Sequence, residues 1–255
     1  MAHEHVSIRT ADGACPAHVL TPDGDGSWPA VIFYMDGLGI RPAVVEMAQR
    51  LAGGGYVVLL PDMFYRFGPY EPLVPTVVFQ QDFHAILGPM MATTDNARAA
   101  RDTRFFLDYL DTRADVKAGK AGTTGYCMGG GMSLTAAGVF PDRVAAAASF
   151  HGGNLASDSP QSPHLLAPQM RAEVYVAGAD NDHSYPPEMA ARLETALTDA
   201  GVRRRCETYE GAAHGWMMPD FAVYDEIAAE RGWRELFALF ARNLHGASLP
   251  PQPSA

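Results

Sequence analysis

The stretch TTGYCMGGGM, residues 123–132, holds Cys127 between Gly125 and Gly129 in the pattern Gly-x-Cys-x-Gly. A cysteine in such a setting can act as a nucleophile, serve as a redox thiol, or fill a tight turn as a small apolar residue. The nucleophile reading has a mechanical basis. Where a strand turns sharply into a helix, side chains two residues before and after the nucleophile would clash, so glycine is needed there. The partial positive charge at a helix N-terminus favours thiolate over thiol, and the free amides of that turn can receive a developing oxyanion. No Lys-Ser/Thr follows the glycines, which disfavours a phosphate loop. The other cysteines, Cys15 and Cys206, lie far off in sequence, so no neighbouring thiol is placed to resolve a sulfenic acid.

A cysteine nucleophile needs a base to take its proton and an acid to orient that base. In sheet enzymes built around such an elbow the order along the chain is nucleophile, carboxylate, histidine, each after a later strand. EVYVAGADNDHSYP ends a strand on Asp180 and Asp182, and TYEGAAHGWMMP ends the next with His214. Of the nine histidines, His214 alone stands after a strand downstream of a candidate acid. His151, in FHGG, also follows a strand but precedes any acid, so it is a candidate to line the site.

These residues are held by a recognisable alternation of elements. HVSIRT and ACPAHVL flank the turn-forming ADG and predict an N-terminal β-hairpin at about 5–20. PAVIFYM (29–35) and YVVLLP (56–61) are unbroken apolar runs, the pattern of parallel strands covered on both faces. Helical spacing between them starts near Pro42 and stops on glycines. A second helix is predicted over 93–113, before AGTTGY. Further strands are predicted at 144–150, 173–179 and 205–211, with helices at 187–200 and 220–244. The class is α/β, a doubly wound, mostly parallel sheet with helices on both faces. Residues 62–92, rich in Pro, Phe, Tyr and Met, are expected to be irregular and functional. The tail, 246–255, is expected to be frayed. No linker or repeat divides the chain, so 1–255 is expected to be one domain.

Composition narrows the partners. Nineteen basic against twenty-nine acidic residues give a formal charge of −10, and the two lysines, Lys117 and Lys120, form no basic run. No surface built for phosphates is visible, so nucleic acid is not an expected partner. The start, MAHEHVSIRT, lacks a basic-then-apolar leader, and no stretch approaches the roughly 18 to 20 apolar residues of a membrane span. A cytoplasmic protein without a membrane partner is expected, as a monomer or small homo-oligomer. His, Cys and acidic residues show no ligand spacing along the chain, so no metal or other cofactor is expected.

Taken together, GYCMGG, YVVLLPDMFYR, DHSYPPE and AAHGW resemble the dienelactone hydrolase family of α/β-hydrolases, in the family's order and over about residues 5–245. The resemblance implies an α/β-hydrolase fold and a hydrolase of carboxylic esters or lactones. Cys127 would attack the carbonyl, His214 would act as base and then acid, and Asp182 would orient His214, with Asp180 as turn former or strand-end partner. In YMDGLGIRPAV, Asp36 would touch the resting nucleophile, although it is one carbon shorter than the family's usual Glu. The N–H groups of Gly37 and Met128 would form the oxyanion hole. Tyr65, Arg66, Tyr126, His151, Trp216, Met217 and Met218 are the expected substrate-contacting residues. Family members that bind a dienelactone hold its carboxylate with arginines, one of them four residues beyond the histidine; here that residue is Met218. Arg66 is the only guanidinium candidate nearby. A neutral or hydrophobic ester or lactone is therefore the expected substrate, and dienelactone a poor one. The alternatives are a silent scaffold that binds a small ligand, and a thioesterase or acyltransferase.

Overall fold

The computed structural model describes residues 1–245, so the expected frayed tail lies outside the described residues. Strands β1 (Ala2–Thr10) and β2 (Gly13–Thr21) form the hairpin, paired antiparallel from Thr10↔Gly13 to Ala2↔Thr21. Six more strands follow: β3 (Ala30–Tyr34), β4 (Val57–Pro61), β5 (Ala121–Tyr126), β6 (Val144–Phe150), β7 (Glu173–Ala179) and β8 (Arg204–Tyr209). The sheet order is β1-β2-β4-β3-β5-β6-β7-β8, with β2 antiparallel to β4 and every pairing from β4 onward parallel.

Every residue of β3, β4 and β5 is buried, which explains why their sequences run apolar without alternation. Helices cover both sides. α1 (Pro42–Gly53) and α7 (Glu226–Leu244) touch each other, with the Arg50 guanidinium 4.7 Å from the Trp233 ring. α5 (Met128–Val139) and α6 (Pro187–Asp199) lie opposite. Alternate residues record the division: Ala146, Ala148 and Phe150 of β6 join the core under α7, whereas Ala147 joins the core under α5 and α6. α4 (Asn96–Asp111) packs beside α5, its first turn capped by Asp95, whose carboxylate accepts the Arg98 N–H. A 3-10 turn, Pro163–Gln169, completes that layer. No described helix is long and apolar enough to cross a membrane.

Two stretches depart from expectation. Residues 62–92 carry two helices, α2 (Pro75–Phe79) and α3 (Phe83–Met91), rather than irregular chain throughout. Pro75 suits a helix start, Asp82 caps α3 through the Ala85 N–H, and Val78 and Leu87 pack on Leu38. Tertiary packing supports an α3 that contains both Gly88 and Pro89. The last helix starts at Glu226, not 220, because Asp225 is its cap and 220–225 form turns.

The chain's chemistry-bearing loops all leave the C-terminal ends of the parallel strands, on one end of the sheet. Asp36 follows β3, Cys127 follows β5, His151 follows β6, Asp180 and Asp182 follow β7, and His214 follows β8. Ligand sites in open parallel sheets lie beyond these strand ends.

Candidate active site

At the junction of β5 and α5, Cys127 holds φ 53° and ψ −118°. A non-glycine residue in such a conformation costs about 1–3 kcal/mol and persists only when its surroundings fix it. They do so by contact. A Cβ on Gly125 would overlap the Gly129 carbonyl, and one on Gly129 would overlap the carbonyls of Tyr34 and Met35. The Cys127 N–H donates to the Phe150 carbonyl at 3.1 Å, tying the elbow to β6. Cys127 is partly exposed. Cys206 is partly exposed as well and Cys15 is buried, but burial, then the charge of Glu194, pushes Cys206 up to about 12, and burial with the charge of Asp62 raises Cys15. Neither forms a thiolate at neutral pH.

His214 lies between Cys127 and the loop after β7. Its Nδ1 is 2.6 Å from Asp182 Oδ2, which leaves Nε2 for the Cys127 sulfur. Burial pulls the imidazole's pKa down, but hydrogen bonds and charge from Asp182 and Cys127 outweigh it and push the value up to about 10. Burial raises the Asp182 carboxyl, yet the bonds from His214 and Ser184 prevail and hold it below its ordinary 3.8. Ser184, which sequence reasoning passed over, donates its N–H at 2.8 Å and its hydroxyl at 2.6 Å to Asp182 Oδ1. The carboxylate is thereby fixed on two sides. Asp180 does something else. It accepts the Gly211 N–H at 3.1 Å, and its own N–H donates to the Ala212 carbonyl at 2.8 Å, joining the loops after β7 and β8.

The loop after β3 corrects one expectation. Asp36, 1% exposed, makes a two-pronged ion pair with Arg41 at 2.7 and 2.8 Å, and accepts the Leu38 N–H at 2.9 Å. Its carboxylate is thus turned to Arg41 rather than to Cys127. Arg41 also reaches Asp220 at 2.6 and 3.0 Å and lies 5.3 Å from the Phe221 ring. One buried guanidinium therefore clasps the loop after β3 to the segment beyond His214. Neither Gly37 nor Met128 donates its N–H to another described residue, so both are free to receive an oxyanion. Met91 of α3 stands 3.9 Å from where a Gly37 side chain would begin and lies partly exposed.

Of the expected substrate contacts, His151 is brought to the site. Its ring centroid is 5.3 Å from that of His214, its backbone is left-handed at φ 39°, and neither ring nitrogen has a protein partner. Burial, then the neighbouring His214, drives its pKa well below 6.5, so the ring stays neutral. The others are placed differently. Tyr126 stacks at 4.7 Å on Phe33 inside the core. Trp216 stacks at 4.4 Å on Tyr209, and Met217 and Met218 are buried with it, because the chain turns inward after His214. Arg66 pairs with Asp102 and Asp12 at 2.8 Å, and the Tyr65 hydroxyl bonds Thr10 and Asp102. The hairpin turn and α4 thus take up the two side chains expected at the substrate.

The family profile of the dienelactone hydrolase family matches residues 15–244. A Synechocystis sp. protein provisionally named carboxymethylenebutenolidase is 26% identical over 204 residues, 78% of this chain and 80% of its own. A solved Klebsiella pneumoniae structure, provisionally described as a dienelactone hydrolase, superposes with a TM-score of 0.79 over 94% of this chain and 98% of its own, at 24% identity. A dienelactone hydrolase-like promiscuous phosphotriesterase from metagenomic libraries superposes with a TM-score of 0.74 over 96% of this chain and 100% of its own, at 21% identity. With the profile spanning nearly every described element, the chain is a hydrolase of the α/β-hydrolase fold and belongs to the dienelactone hydrolase family.

Proposed function

We propose that this hydrolase cleaves neutral or hydrophobic carboxylic esters or lactones through an acyl-enzyme on Cys127. His214 Nε2 takes the thiol proton, and the sulfur attacks the carbonyl carbon. The tetrahedral oxyanion is received by the N–H groups of Gly37 and Met128, each donor of this kind contributing about a hundred- to a thousandfold in rate. Collapse expels the alkoxide, which takes the proton back from His214. Water then attacks the thioester with His214 again as base, releasing the acid and the thiol. Asp182 keeps Nδ1 protonated and the ring oriented throughout. The observation that carries the reading is His214 held 2.6 Å from Asp182 on one side and facing the strained Cys127 on the other.

The substrate preference rests on charge. Both arginines in the loops after β3 and β4 are ion-paired, Arg41 with Asp36 and Asp220 and Arg66 with Asp102 and Asp12. Neither offers a vacant fork for a substrate carboxylate. Comparing short-chain neutral esters with a carboxylate-bearing lactone tests this, and the neutral esters should have the larger kcat/KM. A strong preference for the charged lactone would sink the assignment. Three unpaired cysteines fit a reducing compartment, in keeping with a cytoplasmic enzyme.

A further inference from the structure

Along the chain, His3, His5 and His18 show no ligand spacing; the hairpin register brings them together. His3 and His5 are two residues apart on β1, so their side chains leave the same face, and His18 stands directly across from His5 on β2. The ring centroids are 4.9 Å (His3 to His5), 5.0 Å (His3 to His18) and 4.4 Å (His5 to His18) apart. One nitrogen from each ring lies within 4.8 Å of the others, and His3 Nε2 is 2.8 Å from His18 Nδ1. Three nitrogens bound tetrahedrally to one zinc ion at about 2.0–2.1 Å would sit about 3.3 Å apart, which small side-chain rotations provide.

We propose that His3, His5 and His18 form a binding site for a divalent first-row transition ion, of which Zn²⁺ best fits the three-imidazole set. Imidazole is a ligand suited to zinc, copper and nickel, and three such ligands leave one tetrahedral position for water or an anion. A hollow of about 240 Å³ opens beside His5 and His18, walled by Pro16, Ile40, Asp62 and Tyr70, and gives that fourth ligand room. Glu4, between the two β1 histidines, projects from the other face, where it pairs with Arg113. The site is separate from Cys127 and His214 and does not depend on the reaction proposed above.

The test is calorimetric titration of ZnCl₂ into the untagged, metal-free full chain, with Co²⁺ absorption as a second readout. The expected result is one Zn²⁺ per chain, with His5→Ala and His18→Ala each weakening binding by on the order of a hundredfold. Cys127→Ala should leave it unchanged, and the Co²⁺ spectrum should lack a sulfur-to-metal charge-transfer band. His3→Gln, at an exposed position of the edge strand, supplies a variant whose fold is not at stake; near-UV circular dichroism checks all of them. Absence of saturable binding, binding that survives the histidine variants, or binding lost with Cys127→Ala would overturn the proposal.

Discussion

Asp180 and Asp182 are two residues apart, yet they meet different partners, and the difference yields a direct prediction. Asp182 holds the His214 ring, whereas Asp180 holds the backbone of Gly211. Asp182→Ala should lower kcat by about a hundred- to ten-thousandfold, the range expected for a general base that has lost its orienting acid. Asp180→Ala should retain most activity, and its abolishing turnover while Asp182→Ala does not would refute the assignment. A second prediction concerns pH. The folded His214 value of about 10 lies above its ordinary 6.5, so protonation favours the folded state. That contribution is complete below about pH 6.5 and is lost as pH rises through about 10. Solvent weakens it, since the side chain is 32% exposed. Urea unfolding of wild type and His214→Gln should show a stability gap that closes over this window; a gap constant across it contradicts the reading. At this scale the sequence exposed the groups that touch one another in loop order, Cys127, Asp182 and His214. It hid Ser184, because a serine in a polar loop has no pattern to mark it. Trp216, Met217 and Met218 read equally as a substrate wall or as packing under the histidine loop, and the inward turn that buries them decides for packing.

Among the elements, the clasp made by Arg41 is the least visible in sequence and the most exposed to test. Asp36 and Arg41 are five residues apart in a non-repetitive loop, and Asp220 is 179 residues beyond Arg41, so no periodicity connects the three. Arg41→Ala leaves the Asp36 carboxylate, 1% exposed, without its partner. Breaking one side of a buried pair costs about 3–5 kcal/mol, and the urea midpoint should fall accordingly. Asp36→Asn combined with Arg41→Met should recover part of the loss, because no charge is then stranded on that loop. A loss below about 1 kcal/mol for Arg41→Ala would mean that the clasp is not what holds the loop. Helices α2 and α3 escaped notice for a related reason: PTVVF is short with two adjacent valines, FHAILGPMM is interrupted by Gly88 and Pro89, and packing on Leu38 and the core, with the Asp82 cap, supports them instead. The buried strands were legible because coverage on both faces leaves continuous apolar runs, and 144–150 and 173–179 fall where expected.

For the molecule as a whole, the alternation of strand and helix carried the architecture, and the order of motifs carried the family. What a linear reading could not carry was proximity across the hairpin, where His18 meets His3 and His5 only through strand register. The parallel strands deliver Cys127, His151, Asp182 and His214 to one end of the sheet, so that a partly exposed thiol faces a histidine and its acid. The central claim is that this thiol is acylated during turnover. Rapid acid quench of the enzyme with a chromogenic short-chain ester, followed by peptide mass spectrometry, tests it most directly. The account predicts an acyl mass on the peptide containing Cys127, absent from those containing Cys15 and Cys206, and loss of both adduct and turnover in Cys127→Ala. Turnover by Cys127→Ala at the wild-type rate, or an acyl group accumulating on another residue, would contradict it.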